Sequence, residues 1–161
     1  MSAARPGALQ TALLVACAIA LPSTARAESD ACAVLTPAQV GAVLGVPVGE
    51  GAHVTPTFVR TCTWNTSGSS AVKFATLYLQ PVAAYDGGKK MAGQMAAIGR
   101  GAAMKPAAVG DDAYYFVTGD QAGLLVKKGG VSFKVTVYAK IPVEQKETME
   151  MALAKEALAK L

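Results

Sequence analysis

The sequence predicts an α+β domain: an antiparallel sheet of about five strands, with helices packed mainly on one face and one disulfide. Two segments, 71–80 and 113–140, alternate apolar and polar residues as half-buried strands do. Three further segments repeat apolar residues at helical spacing, and they precede, separate and follow these strands. Because 161 residues suit one domain, we expect residues 28–161 to form a single α+β domain behind a signal peptide at 1–27.

The amino terminus has the features of a secretory signal peptide. Arg5 provides a positive charge, and the uncharged, mostly apolar run 8–21 is too short to span a bilayer. The residues at 25–27 read Ala-Arg-Ala, which is an A-x-A cleavage site. We therefore expect cleavage near Ala27 and a periplasmic or secreted product, without a transmembrane segment in the mature chain.

The same segment also allows a lipoprotein signal. Residues 14–17, Leu-Val-Ala-Cys, fit a bacterial lipobox, in which Cys17 would be lipidated and would become the first residue of an anchored protein. The residues that follow at 18–21 remain apolar and continue the hydrophobic run. Cleavage near Ala27 is therefore the favoured interpretation, and a lipid anchor at Cys17 is the alternative.

Cys32 and Cys62 are the two cysteines that remain after cleavage. In an oxidising compartment two cysteines allow only one intramolecular pairing, which predicts a structural disulfide. The alternative is a redox pair or a nucleophilic thiol. A redox pair usually has C-x-x-C spacing and a thiol nucleophile needs a basic partner, and the sequence shows neither.

The first helix is expected to begin at Thr36 and to stop at Gly45. Thr36 is a suitable N-cap and Pro37 occupies the first helical position, and apolar residues follow at helical spacing. After a turn with proline and glycine, the Thr- and Val-rich segment 53–64 predicts one or two strands. Segment 71–80 predicts a strand with both faces partly covered.

Residues 82–98 form the second predicted helix, which is rich in Ala and Met. Gly87 and Gly88 weaken its first half, because each glycine costs about 1 kcal/mol relative to alanine in a helix. We therefore expect the ordered helix to start near Lys89, and residues 99–105 to form a flexible connection.

A three-stranded meander is predicted at 114–118, 124–127 and 131–140, with glycine-containing turns between the strands. In its last strand the apolar residues alternate with Ser132, Lys134, Thr136, Tyr138 and Lys140. This alternation predicts one buried face and one solvated face. Pro142 starts a final helix, whose apolar stripe recurs at every fourth residue from Met149 to Leu161 and is expected to pack on the sheet.

Three blocks of the sequence resemble those of small exported bacterial domains of unknown function, many of them actinobacterial lipoproteins. Residues 31–45 resemble the block C-x-L-L-T-x-x-E-v-x-x-x-l-G, residues 61–64 a C-x-W block, and residues 109–114 a v-G-d-x-A block. The chain departs from this pattern at Gln39, where an acidic residue is common, and in its weak lipobox. The resemblance implies an exported α+β domain with a Cys32–Cys62 disulfide, and it carries no established activity.

Composition argues against several functional classes. Without Arg5 and Arg26 the chain keeps 13 basic and 11 acidic residues, an excess too small and dispersed for nucleic-acid binding. His53 is the only histidine, and because no catalytic motif surrounds it we expect a surface or half-buried residue. Zinc ligands at suitable spacing and phosphate-binding loops are absent. We expect no metal and no cofactor.

Asp111 and Asp112 are the acidic residues considered for a function. With Asp120 one hairpin away they allow a Ca²⁺ site or the paired carboxylates of a hydrolase, although the sequence has no D-x-D-x-D-G loop. The preferred interpretation is structural: Gly110 makes a tight turn and one of the two carboxylates caps its backbone.

Methionine and aromatic residues provide the remaining candidate surface. Met91 and Met95 lie at helical spacing, which is more typical of core filling but also suits an adaptable apolar ligand surface. Trp64, Tyr114 and Tyr138 are candidates for an aromatic binding face. Tyr138 lies on the polar phase of its strand and is the one expected to be exposed.

We therefore expect a non-enzymatic exported binding domain that recognises a protein or an apolar envelope ligand, and no nucleic acid. The alternative is a small carboxylate-based hydrolase of the cell envelope that uses Asp111 or Asp112 as its base. The predicted ligand or partner face consists of Trp64, Met91, Met95, Tyr114 and Tyr138.

Overall fold

The computed structural model describes Met1 and residues 30–68, 71–99 and 103–161. Cys17 and the predicted cleavage site lie outside these residues. The described chain belongs to the predicted α+β class, but its antiparallel sheet has seven strands rather than about five. Within the described ranges, no helix has both the length and the apolar character needed to cross a membrane.

The described elements are, in order, the 3₁₀ helix Ala31–Ala33, α1 Pro37–Leu44, β1 Ala52–His53, β2 Thr61–Asn65, β3 Val72–Gln80, α2 Val82–Ala97, β4 Ala103–Pro106, β5 Asp112–Val117, β6 Leu124–Lys128, β7 Val131–Ala139 and α3 Val143–Leu158. The strands lie side by side in the order β1-β2-β3-β7-β6-β5-β4. The last strand of the sequence is therefore at the centre of the sheet, between β3 and β6.

The additional strands are short and lie at the edges of the sheet. β1 pairs with β2, so the segment predicted as one or two strands forms two. β4 pairs with β5 from Ala103↔Val117 to Pro106↔Tyr114. The prediction of a flexible connection at 99–105 is therefore wrong for residues 103–105, because pairing with a strand later in the sequence decides their conformation.

The two faces of the sheet are covered unequally. The first face packs against α3 and α1 and forms the core, which includes Leu77, Val126, Phe133, Val135 and Val137. The second face carries α2, which contacts β4, β6 and β7 and packs Tyr85 on Tyr114 of β5. Two of the three α-helices therefore lie on one face, as predicted.

Helix α2 begins at Val82, before its two glycines, so the expected start near Lys89 is wrong. Tyr85 is fully buried and packs on Tyr114, with the two ring centroids 5.5 Å apart. Asp86 accepts a hydrogen bond from Lys127 of β6 at 2.6 Å. Packing on the sheet thus stabilises the first two turns of the helix and outweighs the cost of the glycines.

The face of β7 predicted to be solvated is partly buried. Ser132 and Thr136 are buried, and the Ser132 hydroxyl donates to the carbonyl of Gln80. Lys134 is half-buried and Tyr138 is exposed. The prediction of a solvated face is therefore wrong for Ser132 and Thr136. The alternating pattern of a central strand does not show what covers its polar side.

Helix α3 packs on the sheet as predicted, and its buried side also includes charged residues. Its buried residues are Lys146, Glu147, Glu150, Leu153, Ala154 and Ala157. Of the predicted stripe, Leu153 and Ala157 are buried and the half-buried Met149 packs against the core, so the prediction is wrong only for Leu161, which is exposed. Charged residues face the sheet here because the main chain of the sheet offers them partners.

The first helix and the disulfide match their predictions. Thr36 caps α1 by accepting a hydrogen bond from the Gln39 amide, and the Gln39 side chain accepts one from the Thr36 amide. Cys32 and Cys62 form a disulfide that joins the 3₁₀ helix to β2. Gly51 leaves room for it, since a Cβ there would lie 2.5 Å from the Cys62 sulfur.

Removing the disulfide should lower the free energy of unfolding by about 3 to 4 kcal/mol, because the bond closes a loop across a sequence separation of 30 residues. The double variant Cys32→Ala/Cys62→Ala, measured by urea unfolding, tests this value. The wild-type chain under reducing conditions is the matched control and should lose a similar amount. A loss below about 1 kcal/mol in both would show that the bridge contributes little.

Candidate functional site

Strand β6 separates from β7 before the sheet ends. The two strands pair from Lys128↔Val131 to Leu124↔Val135. Continued pairing would place Ala122 opposite Val137, but the pairing ends at Leu124, and the Val137 amide donates to the Glu150 side chain instead. Gly123 remains bonded to Phe116 of β5, at 2.9 and 3.1 Å. The resulting opening between residues 121–123 and 136–138 is called the sheet gap below.

Two charged residues of α3 fill the inner side of the sheet gap. The Glu150 carboxylate accepts a hydrogen bond from the Val137 amide at 2.9 Å. The Lys146 ammonium group donates to the carbonyl of Asp120, at the tip of the β5–β6 hairpin. Both side chains are fully buried and lie one helical turn apart. They therefore bond main-chain groups that strand pairing leaves free.

The pKa of the Glu150 carboxyl is shifted well above its usual value. Burial is the main cause that raises its pKa from 4.5 to about 7, and the nearby charge of Glu147 contributes to this rise. The Val137 amide and the positive charges of Lys134 and Lys146 act in the opposite direction. One oxygen, Oε2, has no hydrogen-bond partner among the described residues. The Glu150 carboxyl therefore keeps its proton to a higher pH than an exposed glutamate does.

On the second face, the sheet gap opens into a pocket of about 180 Å³. Its lining residues are Phe116, Thr118, Gln121, Ala122, Gly123, Lys134, Thr136 and Tyr138. A Cβ at Gly123 would lie 2.6 Å from Cε of Lys134 and 3.2 Å from Oγ1 of Thr136. The absence of a side chain at Gly123 therefore lets the Lys134 side chain lie across the end of β6.

Beside this pocket, part of the second face has no described helix over it. Tyr138 stacks on Phe74 of β3 with ring centroids 4.2 Å apart, and Tyr78 stacks on Phe58 at 6.2 Å. We call this surface the open face; its residues are Phe58, Thr61, Thr63, Phe74, Thr76, Tyr78 and Tyr138. The strands that form it, β2, β3 and β7, contain lysine but no aspartate or glutamate.

The predicted ligand-face residues do not form one surface. Trp64 and Tyr114 are 1% and 3% exposed, so neither belongs to an accessible face. Met91 and Met95 are 64% and 42% exposed, so the expectation of core filling is wrong for them, and they lie on α2 outside the pocket lining. Tyr138 is 37% exposed, as its strand position predicted.

Asp111 and Asp112 have structural partners. Asp112 accepts hydrogen bonds from Lys89 of α2 at 2.7 Å, and these bonds lower its pKa. Asp111 accepts from the Gly129 amide at 2.6 Å, so it caps the β6–β7 turn rather than the predicted turn at Gly110. Gly110 itself has a φ of 67°. A carboxylate with a lowered pKa is a weak base, so this geometry does not favour the hydrolase alternative.

His53 is half-buried, as expected, and it belongs to a group of three residues whose side chains carry metal-ligand atoms. Its Nδ1 is 3.2 Å from the Thr61 carbonyl and its Nε2 is 3.4 Å from Asp30. Asp30, Cys32 and His53 offer ligand atoms within 4.8 Å of one another. Cys32 is held in the disulfide and cannot act as a thiolate, which leaves two ligands where a structural zinc site needs four.

Comparison of the chain with known protein families, with curated protein sequences and with solved structures finds no match. The residues that sequence reasoning missed are Lys146 and Glu150. Lys134 was predicted to lie on the polar side of its strand with Tyr138, but its position at a pocket was not predicted. Lys146 and Glu150 lie four residues apart in the predicted final helix, and this spacing is the one signal that would have placed them on a common side.

The substitution Glu150→Gln should change stability in a pH-dependent way. The folded carboxyl has a raised pKa, so the wild type binds its proton more tightly when folded and loses stability as the pH rises from about 4.5 to 7. Glutamine stays neutral and keeps an oxygen for the Val137 amide. Relative to the wild type, the variant should therefore gain about 3 kcal/mol between pH 4 and pH 8.

Urea unfolding of both proteins at the two pH values measures this gain. Glu144→Gln, at an exposed position of the same helix, is the control and should show no such dependence. An equal stability difference at pH 4 and pH 8 for Glu150→Gln would contradict a raised pKa.

Proposed function

We propose that the protein is an exported, non-enzymatic binding domain that recognises a partner protein through its open face. The single observation that carries this proposal is the accessible Phe74–Tyr138 stack on a part of the sheet that no described helix covers. Tyrosine and phenylalanine bury large areas with few rotatable bonds, so clustered accessible aromatics favour association. The disulfide supports a location in an oxidising compartment.

A protein partner fits this surface better than an apolar envelope ligand does. The pocket of about 180 Å³ beside Tyr138 is smaller than the 300–1,000 Å³ typical of small-molecule sites. Among the hollows formed by described residues, two larger ones, of about 600 and 550 Å³, lie elsewhere and are open to solvent. An open strand surface with aromatic, threonine and lysine side chains instead matches the mixed composition of protein interfaces.

Site-specific photo-crosslinking in the producing cells tests the proposal. A photoreactive phenylalanine at Tyr138, and in a second variant at Thr76, should form an adduct with the same partner protein. The same residue at Lys155, exposed on the helix that covers the opposite face, is the matched control and should not form this adduct.

The partner identified in this way should then be purified and its affinity measured by calorimetry. Tyr138→Ala should weaken binding at least tenfold, which corresponds to about 1.4 kcal/mol. Lys160→Ala, at an exposed position at the end of the chain, should leave the affinity unchanged. Adducts that are equally abundant at Tyr138 and Lys155, or wild-type affinity in Tyr138→Ala, would contradict the proposal.

A further inference from the structure

Lys134 differs from the other lysines that extend from the sheet toward the helices. Lys105 of β4 pairs with Glu147, and Lys127 of β6 pairs with Asp86. Lys134 is half-buried, and no described residue forms a hydrogen bond or an ion pair with its ammonium group. Because a partly buried charge is costly without a partner, this position favours an external anion.

The pocket lining provides no such anion. Thr118, Thr136 and Gln121 contribute neutral hydrogen-bonding groups, and the remaining lining residues apart from Lys134 are apolar or aromatic. The side-chain oxygen of Gln121 is buried without a partner among the described residues. Glu150, on the inner side of the sheet gap, interacts electrostatically with Lys134, but neither a hydrogen bond nor an ion pair joins the two side chains, and one of the Glu150 oxygens is bound to the Val137 amide. The positive charge of Lys134 is therefore the dominant charge at the pocket surface.

The size of the pocket limits what can enter it. A volume of about 180 Å³ holds one side chain or one end group, and not a complete drug-sized molecule. The body of the ligand must therefore lie outside, where Tyr138 and Phe74 offer apolar contact. A ligand with an anionic group next to an apolar or aromatic group fits this arrangement.

We infer that the pocket binds a carboxylate group of the partner, with Lys134 as its counter-charge and Phe116 and Tyr138 against the adjacent apolar group. This inference rests on the proposed function and specifies the ligand chemistry of the same surface. Phosphate sites usually combine arginine forks, loop amides or a helix N-terminus. The pocket has one lysine and no arginine or helix end, so a singly charged carboxylate is the better match.

Titrations with small probes, followed by NMR on the oxidised chain, test this chemistry directly. The probe 3-phenylpropionate should shift the amides of Gly123, Thr136 and Tyr138 in a saturable manner. The neutral isostere 3-phenylpropanamide should bind at least tenfold more weakly, because it lacks the charge that Lys134 requires.

Lys134→Met keeps most of the aliphatic stem and removes the charge, so it should bind the carboxylate no better than the amide. Lys73→Met removes an exposed lysine of β3 and is the matched control, with affinity within twofold of the wild type. If Lys134→Met does not fold, Lys134→Gln replaces it. Equal affinity for the two probes, or tighter binding of phenyl phosphate, would overturn the inference.

Two peptides distinguish the sources of the carboxylate. Acetyl-Ala-Phe with a free carboxyl end presents a terminal carboxylate, and acetyl-Phe-Glu-amide presents one on a side chain. Saturable binding of either peptide supports the inference and identifies the source, and binding of neither overturns it.

If the probes fail but crosslinking at Tyr138 identifies a partner, the proposed function stands without the carboxylate. If the probes bind but crosslinking fails, the protein partner is wrong.

Discussion

The hydrogen bond from the Val137 amide to the Glu150 carboxylate is the interaction on which the candidate site depends. In a regular sheet the amide of a central strand donates to the neighbouring strand. Here the carboxylate of a helix takes the place of that strand, at 2.9 Å, and Lys146 holds the carbonyl of Asp120 on the other side of the gap. Burying these charges is costly, and their main-chain bonds offset part of that cost while β6 remains apart from β7.

The separation of β6 from β7 determines where a ligand can bind. It creates the pocket on the second face and directs Lys134 across Gly123 toward it. Helix α2 has 16 residues, roughly 24 Å of helix, and contacts β4, β6 and β7 but not the end of β7 where Tyr138 stacks on Phe74. The aromatic stack of Phe74 and Tyr138 therefore remains accessible beside the pocket. The length and position of α2 therefore determine which part of the second face is covered and which part is accessible.

Features set by neighbouring residues were predictable from the sequence. The cap at Thr36, the meander strands and the exposure of Tyr138 each depend on a local pattern, and the disulfide was predictable because only two cysteines lie outside the predicted signal peptide. The start of α2 and the strand β4 were not predictable in this way. Both depend on packing against strands that occur later in the chain, where Tyr114 and Lys127 lie, and such contacts outweigh local propensity.

The candidate site was harder to predict for the same reason. The alternation of β7 assigned Lys134 and Tyr138 to one side of the strand correctly, but it could not show that β6 ends its pairing at Leu124. Glu150 and Lys146 are charged residues in an apparently amphipathic helix, and their burial depends on main-chain groups that only the sheet register reveals. Trp64 and Tyr114 show the converse, because both were predicted on an accessible face and their burial depends on packing that the local sequence does not show.

The central claim is that Glu150 replaces a strand at the sheet gap and thereby keeps the pocket open. Residue-resolved hydrogen exchange of the Val137 amide measures this directly. The amide should be protected about as strongly as that of Val135 in the wild type, and in Glu150→Ala it should exchange much faster while Val135 stays protected. Rapid exchange of Val137 in the wild type, or protection that survives the substitution, would contradict the claim.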